Sequence, residues 1–210
     1  MQMMRFSAMS DLSPILIEEK LALRRVVRRA RVALPRRERQ RAEQRVACFA
    51  ARFLKRGKRI GGYLASGSEL NIELLLSKAL QRGAHIFLPV IPDHGRRLWF
   101  SLLGKPDLWY LHPRYPLIEY AGAVLRAERL DVLFVPLLAV DNDGYRLGQG
   151  GGFYDTSLAR AGGHRPLLVG VGFDCQKVSH EQADAVQKPG TRNARGDRFY
   201  FYLRHSRTGN

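Results

Sequence analysis

Four glycines fall within five consecutive positions, at 148 and 150–152, in the stretch RLGQGGGFYD (146–155). Glycine loses more conformational freedom on folding than any other residue, so such a run in a foldable region needs a reason. Without side chains in the way, successive backbone N–H groups can turn toward one concavity and bind phosphate. Arg146 adds a fork of donors for phosphate oxygens. Asp155 is positioned to hold a magnesium ion that bridges those oxygens.

The surroundings of the glycines favour a binding loop over other interpretations. The loop follows an apolar strand and a turn and opens a helix, which is where open α/β sheets bind ligands. A Walker A motif would need Gly-Lys-Ser/Thr after the glycines, and a Rossmann fingerprint would need a glycine where Phe153 stands. A flexible hinge or a tight hairpin is the structural alternative. Such hinges rarely come flanked by Arg, Tyr and Asp together, so we favour phosphate binding.

Two basic helices are predicted before this region. The spacing predicts an amphipathic helix over 17–34 that Pro35 ends, and a second helix over 35–57 that Gly57 ends. Like charges four residues apart on a helix repel one another, so a row of them gains most when an anion binds. The first helix carries an apolar and a basic stripe at helical spacing: Leu23, Val27, Ala30 and Leu34, and Lys20, Arg24, Arg28 and Arg31.

The rest of the chain alternates strands with helices. Continuous apolar strands are typical of a sheet buried on both faces, and this alternation predicts a three-layer, Rossmann-like α/β fold with a largely parallel central sheet. We expect a disordered tail over 1–14 and a single domain over 15–210. Strands are predicted at 59–65, 84–91, 97–101, 131–140 and 165–173, with helices at 71–83, where Asn71 is the N-cap, and at 153–162.

Composition limits the class of protein. No run approaches the ~20 apolar residues that span a bilayer, and two cysteines are too few for a disulfide framework, so we expect a cytoplasmic protein. Residues 1–60 hold 17 Lys/Arg against 5 Asp/Glu, residues 187–210 hold 6 against 1, and residues 61–186 hold 12 against 13. Basic ends around a near-neutral middle indicate a nucleic acid, a membrane surface or a polyanionic small molecule as partner, or serve solubility alone.

The glycine stretch, with DVLFVPLLAVDNDGY before it, resembles the signature of the 5-formyltetrahydrofolate cyclo-ligase family, also called methenyltetrahydrofolate synthetases. KLALR at 20–24, the run from RIGGYLASGSELN to FLPVI at 59–91 and LLVGVGFDCQ at 167–176 resemble further family segments in the expected order. The resemblance covers roughly residues 18–176. It implies that MgATP drives the conversion of 5-formyltetrahydrofolate into 5,10-methenyltetrahydrofolate, with release of ADP and phosphate.

The resemblance also implies a division of the site between nucleotide and folate. Asp155 would hold Mg²⁺, Glu69 would accept hydrogen bonds from the pterin ring, and Arg146 and Tyr154 would have catalytic roles. ATP would contact Lys20, Arg24, Arg146, Leu147, Gly148, Gln149, Gly150, Gly151, Gly152, Phe153 and Tyr154, and the folate would contact Leu64, Glu69, Trp109, Gln149, Gly150, Gly151, Gly152 and Phe153. The alternatives are a solvated helix face for Lys20 and Arg24, loop solubility for Glu69, and ordinary packing for Leu64 and Trp109.

Several positions depart from the family pattern. Phe153 stands where Tyr is common, and Thr156 and Ser157 stand where an Arg and an apolar residue are frequent. In the loop at 114–120 only Tyr115 and Glu119 fit, and the last ~30 residues are atypical. Two other functions therefore stay open: a nucleic-acid-binding protein that uses the basic helices, and a family member that binds nucleotide or folate without turnover. We expect a monomer that takes a folate, with or without a polyglutamate tail, and neither a membrane nor a nucleic acid.

Overall fold

The computed structural model of the chain describes residues 14–141, 144, 146–159, 166–178 and 200–202, with backbone alone at 14–16 and 200–202. Predictions for residues 1–13 and for most of 179–210 lie outside these ranges. The helices are α1 (Pro14–Ala33), α2 (Arg36–Ala50), α3 (Glu73–Gln81) and α4 (Phe153–Ala159). The strands are β1 (Arg59–Gly61), β2 (His85–Val90), β3 (Trp99–Leu102), β4 (Trp109–Leu111), β5 (Ile118–Tyr120), β6 (Val124–Leu125), β7 (Val132–Pro136), β8 (Ala139–Val140), β9 (Arg146–Leu147), β10 (Leu167–Val171) and β11 (Tyr200–Tyr202).

Within the described ranges, seven strands form the central sheet, in the order β11-β10-β7-β1-β2-β3-β6. The first five are parallel, and β3 and β6 are antiparallel additions at one edge. In the centre of the sheet Ile60 lies opposite both Val132 and Ile86. The predicted largely parallel sheet is confirmed, and β11, which pairs Tyr200 with Val169, adds a strand that the sequence did not predict.

Helices cover both faces of this sheet, which gives the predicted three layers. On one face, buried residues of α2 and α3 pack against Ile60, Ile86 and Phe134 of the strands. On the other face, Leu158 of α4 packs with Leu133 and its strand neighbours. Side chains alternate between the faces of a strand, so β7 contributes to both cores and reads as a continuous apolar run. None of the helices in the described ranges is long and apolar enough to cross a bilayer.

Two predicted boundaries at the amino-terminal end are corrected. Helix α1 already begins at Pro14, inside the predicted tail. Helix α2 ends at Ala50 instead of running to Gly57. Gly57 has φ +73° and donates its N–H to the carbonyl of Gly83 at 2.8 Å, so it turns the chain into β1 instead of stopping the helix. At α3 the N-cap position belongs to Ile72, although the Asn71 side chain does accept the N–H of Glu73 at 2.7 Å.

The predicted strand 131–140 is in fact two strands. β7 stays in the central sheet, whereas β8 pairs with β9 in a separate hairpin. The buried side chain of Gln176 donates to the carbonyls of Leu137 and Leu138, at 2.5 and 3.0 Å. It thus satisfies the two backbone acceptors that lie between β7 and β8. A side chain more than thirty positions away therefore ends the strand, which hydrophobic patterning alone cannot reveal.

The amino-terminal helix is attached to this hairpin by apolar contacts. Leu23 and Val27 of α1 are buried in one cluster with Leu138, Ala139 and Leu147. The predicted apolar stripe is thus the side that packs. The neighbouring basic stripe lies at the edge of this contact, next to the glycine loop.

Gly122, between β5 and β6, has no room for a side chain. A Cβ there would overlap the carbonyl oxygen of Leu102, a backbone atom of β3 that cannot move independently. We expect Gly122→Ala to lower the free energy of unfolding by roughly 1–3 kcal/mol, as measured by urea denaturation. Gly104→Ala is the matched control, because its Cβ would meet only the Tyr120 hydroxyl at 3.7 Å. Equal losses in the two variants would contradict this account of packing.

Candidate functional site

A cavity of about 690 Å³ opens at the carboxyl ends of three parallel strands. Leu64 beyond β1, Ile91 beyond β2 and Pro136 at the end of β7 line one side of it, and the glycine loop with the start of α4 lines the other. Carboxyl ends of parallel strands are the usual ligand site of open α/β folds. The glycines at 150 and 151 are exposed, so a ligand can reach their backbone.

Two of the loop glycines have backbone conformations that other residues rarely adopt. Gly150 has φ +111° and Gly152 has φ +70°, where a Cβ would be strained. The carbonyl of Gly152 accepts the N–H of Thr156 at 2.9 Å, so the loop leads directly into α4. The run of glycines is therefore explained by the turn itself as well as by access to the backbone.

The basic row of α1 meets the glycine loop. Arg24 Nε donates to the carbonyl of Gly148 at 3.1 Å, and Arg28 donates to Gln149 Oε1 through Nε and Nη2, at 3.2 and 2.8 Å. Burial, and then the charge of Arg28, lower the pKa of Arg24. Lys20 lies one turn earlier on the same side and is half-buried. A bound anion would relieve this crowding of positive charge.

The side chain of Gln149 connects this row to Glu69. While its Oε1 accepts from Arg28, its Nε2 donates to Glu69 Oε1 at 3.1 Å. Glu69 Oε2 accepts the N–H of Ser66 at 3.0 Å. A carboxylate offers about four lone-pair positions, so Glu69 retains acceptor capacity for a ligand. A continuous bridge thus runs from α1 across the glycine loop to the loop after β1.

Arg146 and Asp155 form an ion pair at the base of the cavity. Arg146 is 6% exposed, and its Nη2 donates to Asp155 Oδ1 while Nη1 donates to the carbonyl of Pro136 at 3.4 Å. The Asp155 side chain is 34% exposed. Among the residues that the structure describes, no group of three or more His, Cys, Asp or Glu side chains could hold a metal ion. A metal ion at Asp155 would therefore have one carboxylate ligand from this part of the chain, which would suit an ion held partly by phosphates.

The hydroxyl of Tyr154 is buried and has no hydrogen-bond partner among the described residues. Burial, and then the charge of Glu69, raise the pKa of Tyr154, while Arg146 acts in the opposite direction. The guanidinium of Arg146 lies 5.9 Å from the centre of the ring. A neutral phenol without a partner beside a cavity can donate to a ligand that binds there.

Four predicted site residues do not line the cavity. Two of them are on α1: Arg24 contacts the glycine loop, and Lys20 lies one turn before it. The other two lie elsewhere. Leu147 does not line the cavity; it is buried in the cluster with α1, and its carbonyl accepts the N–H of Leu138 at 2.8 Å. Trp109 is 41% exposed on β4 and packs edge-on against Tyr120, with ring centres 5.0 Å apart. It too is absent from the cavity lining, because the β4–β5 hairpin presents residues 115–119 to the cavity instead. The other predicted residues at 64, 69, 146 and 148–155 line the cavity.

Three polar residues in the cavity wall or supporting it, among others, were not predicted as site residues; two of them line the cavity and Ser157 lies behind it on α4. Tyr63 donates its hydroxyl to the carbonyl of Leu70 at 2.8 Å. Ser157 accepts the N–H of Leu98 at 2.8 Å and donates to the carbonyl of Phe153 at 2.7 Å, which ties α4 to the approach to β3. A serine at position 157, where the family frequently has an apolar residue, was the feature of the sequence that could have indicated this role. Glu119, the third, is a buried carboxylate in the cavity wall.

Fold and site define an α/β protein with a ligand cavity at the carboxyl edge of a parallel sheet, bordered by a glycine loop and arginines. The sequence model of the 5-formyltetrahydrofolate cyclo-ligase family matches residues 16–186, and the chain belongs to this family. The 5-formyltetrahydrofolate cyclo-ligase of Haemophilus influenzae is 28% identical over 168 residues, which cover 78% of this chain and 90% of that protein. The resemblance seen in the sequence is confirmed, and neither alternative function gains support.

Two solved structures have the same fold. The NMR structure of 5,10-methenyltetrahydrofolate synthetase from Aquifex aeolicus superposes with a TM-score of 0.63 at 28% identity, covering 75% of this chain and 79% of that one. A 5,10-methenyltetrahydrofolate synthetase from Mycoplasma pneumoniae gives a TM-score of 0.64 at 19% identity, covering 88% and 96%. At that identity the second likeness supports the fold alone.

Tyr154→Phe should separate stability from binding. Removing a buried hydroxyl without a partner relieves a desolvation penalty, so we expect the Tm of the free protein to stay level or rise. If that hydroxyl donates to the nucleotide, the affinity for ATP should fall about tenfold, the value of one good hydrogen bond. Calorimetric titration and a thermal melt measure the two effects. A lower Tm with unchanged affinity would show that the hydroxyl is structural.

Tyr110 should make the hairpin sensitive to alkaline pH. Burial, and then its hydrogen bond to Glu119, raise the pKa of Tyr110 from 10.0 to about 12. The folded state holds the proton more tightly than the unfolded state, so this stabilisation is complete below about pH 10 and is lost as pH rises toward about 12. We expect the difference in free energy of unfolding between wild type and Tyr110→Phe to shrink over this interval in urea titrations. A constant difference would contradict the bond to Glu119.

Proposed function

We propose that the protein catalyses the ATP-dependent closure of 5-formyltetrahydrofolate to 5,10-methenyltetrahydrofolate, with release of ADP and phosphate. Family membership supports this reaction, since the related proteins carry its substrate or its product in their names. One observation carries the proposal for this chain. A single cavity joins an accessible glycine backbone, flanked by arginines, to a carboxylate that is hydrogen-bonded to the same loop.

The glycine loop forms the nucleotide end of the cavity. Backbone N–H groups of residues 148–152, the guanidinium groups of Arg24 and Arg146 and the amine of Lys20 bind the triphosphate. Phosphoryl transfer needs positioning and neutralisation of charge more than it needs a side-chain nucleophile. The basic row of α1 supplies positive charge on one side of the glycine loop. Arg146, which is fixed by Asp155 and the carbonyl of Pro136, supplies it at the base of the cavity.

Magnesium fits this end of the cavity through Asp155. The carboxylate lies in the first turn of α4, lines the cavity and is partly exposed. Mg²⁺ is commonly held by one or two carboxylates together with substrate phosphates, as a lone Asp here would require. When bound, the ion offsets the negative charge of the phosphate oxygens. Arg146 pairs with Asp155 and so restrains the position of that carboxylate.

The loops after β1 and between β4 and β5 form the folate end. Leu64 and Tyr115 offer apolar surface, and Tyr115 meets Phe153 of α4 edge-on with ring centres 6.2 Å apart. Glu69 accepts hydrogen bonds from N–H groups of the pterin ring. Because Gln149 ties Glu69 to the glycine loop, the folate lies next to the triphosphate. This nearness is what the reaction requires.

In the proposed reaction the formyl oxygen attacks the γ-phosphorus and displaces ADP. N10 then attacks the formyl carbon and loses its proton, and phosphate leaves as the ring closes. The residues of this chain hold the two substrates in line, and the loop and hairpin exclude water from the phosphoryl group. Tyr154 donates its hydroxyl to an oxygen of the transferred group, and Arg146 stabilises the charge that builds there.

Arg146→Ala and Glu69→Gln should affect different substrates. Removing a guanidinium that faces developing charge costs about 100-fold in kcat/KM for ATP. Replacing a carboxylate acceptor by an amide should raise the KM for 5-formyltetrahydrofolate about tenfold and leave the KM for ATP within about twofold. The absorbance of the methenyl product reports the rates. Arg29→Ala, on the exposed side of α1, is the control and should match wild type.

The outcomes separate the candidate functions. If both variants keep wild-type kinetics, the site is wrong. Binding of MgATP and folate by the wild type without turnover supports the non-catalytic family member. Salt-sensitive binding of nucleic acid without any effect of folate supports the nucleic-acid-binding alternative and overturns the proposal.

A further inference from the structure

A buried carboxylate to which the proposed reaction gives no role lies in the wall of the cavity. Glu119, on β5, is 4% exposed and lines the cavity beside Leu117 and Ile118. Charged side chains are almost never so buried unless they are paired. The carboxyl group therefore requires an explanation from its partners.

The partners of Glu119 are neutral donors. Its Oε1 accepts the backbone N–H of Ile91 at 2.8 Å, and its Oε2 accepts the hydroxyl of Tyr110 at 2.6 Å. Within the described part of the chain, no lysine, arginine or histidine forms an ion pair with it. Two of about four lone-pair positions are thus filled, and the charge is not neutralised. A ligand in the cavity can supply the remaining donors.

The hairpin fixes the direction of this carboxyl group. Tyr110 lies opposite Glu119 in the β4–β5 pairing. The next residue, Tyr120, is fully buried; its hydroxyl donates to the carbonyl of Lys105 at 2.6 Å and accepts the N–H of Gly104 at 3.0 Å. A side chain held by two hydrogen bonds on an anchored strand is preorganised, which favours recognition of a ligand over general solubility.

The sign of the charge excludes the phosphates as its ligand. A buried carboxylate repels phosphate oxygens, so Glu119 belongs to the folate end of the cavity. A reduced pterin ring has apolar faces and N–H donors on two edges: the 2-amino group with N3–H, and N8–H. An apolar cavity with a few fixed polar groups matches such a ring. Glu69 can serve only one of the two edges.

We propose that Glu119 is a second substrate-recognising carboxylate, which accepts hydrogen bonds from the N–H edge of the reduced pterin that Glu69 does not take. This inference rests on the proposed function. It gives the cavity one acceptor from the loop after β1 and another from the hairpin, so the ring is held from two sides.

Glu119→Gln tests the proposal with little structural change. The amide can keep the bond from Ile91 through its oxygen and can donate to the Tyr110 hydroxyl through its nitrogen. We expect the KM and Kd for 5-formyltetrahydrofolate to rise roughly tenfold, with the Kd for ATP within about twofold and kcat nearly unchanged. Tyr110→Phe is the comparison variant, because it retains the carboxylate and should lose less folate affinity. A fall in Tm with equal losses for both substrates would overturn the assignment.

Substrate analogues make the test specific. One analogue lacks the 2-amino group, and the other has carbon in place of N8. In the wild type, the analogue without the partner of Glu119 should bind about tenfold more weakly than the parent compound. In Glu119→Gln the same deletion should cost almost nothing further. The proposal would be overturned if each analogue lost as much affinity in Glu119→Gln as it does in the wild type.

The results for the wild type separate the two levels of inference. If the wild type binds no 5-formyltetrahydrofolate, the proposed function fails and the role of Glu119 fails with it. If the wild type turns the substrate over and Glu119→Gln keeps its KM, the role of Glu119 alone is overturned.

Discussion

The packing of α1 on the β8–β9 hairpin determines where the charges of the site lie. Leu23 and Val27 are buried against Leu147 and its neighbours, and burial of apolar surface is the dominant favourable term in such a contact. Successive helix positions lie about 100° apart, so Arg24 and Arg28 must follow at the border of the contact. The burial of Leu23 and Val27, together with the hydrogen bonds from the arginines to the loop, outweighs the repulsion between Arg24 and Arg28.

On the opposite wall of the cavity, two carboxylates accept hydrogen bonds from neutral donors. Glu69 takes the N–H of Ser66 and the amide of Gln149, and Glu119 takes the N–H of Ile91 and the hydroxyl of Tyr110. Hydrogen bonds of this kind orient a carboxylate without cancelling its charge. The cavity therefore has a cationic end at the glycine loop and an anionic end toward the hairpin, which matches a triphosphate beside an N–H-rich ring.

Local sequence patterns were enough to predict the parallel sheet and the glycine loop. A run of apolar residues indicates a buried strand, and a glycine loop between strand and helix indicates a ligand site, whatever the distant contacts of the chain are. Features set by distant contacts could not be predicted: Gln176 divides the strand 131–140, and the pairing of β4 with β5 brings Glu119 to the cavity and leaves Trp109 outside. The side chain of Leu147 faces the α1 cluster instead of the cavity, and a motif does not say which of its side chains face the core.

The amide of Gln149 has an arginine on one side and a carboxylate on the other. A single planar group cannot rotate to suit one neighbour without changing its fit to the second. A ligand that shifts either neighbour therefore changes the fit of the other, so this bridge can link the two halves of the cavity heterotropically. Thermodynamic reciprocity requires the effect to be equal in both directions, so the order in which the two substrates arrive leaves the affinity of the complete ternary complex unchanged.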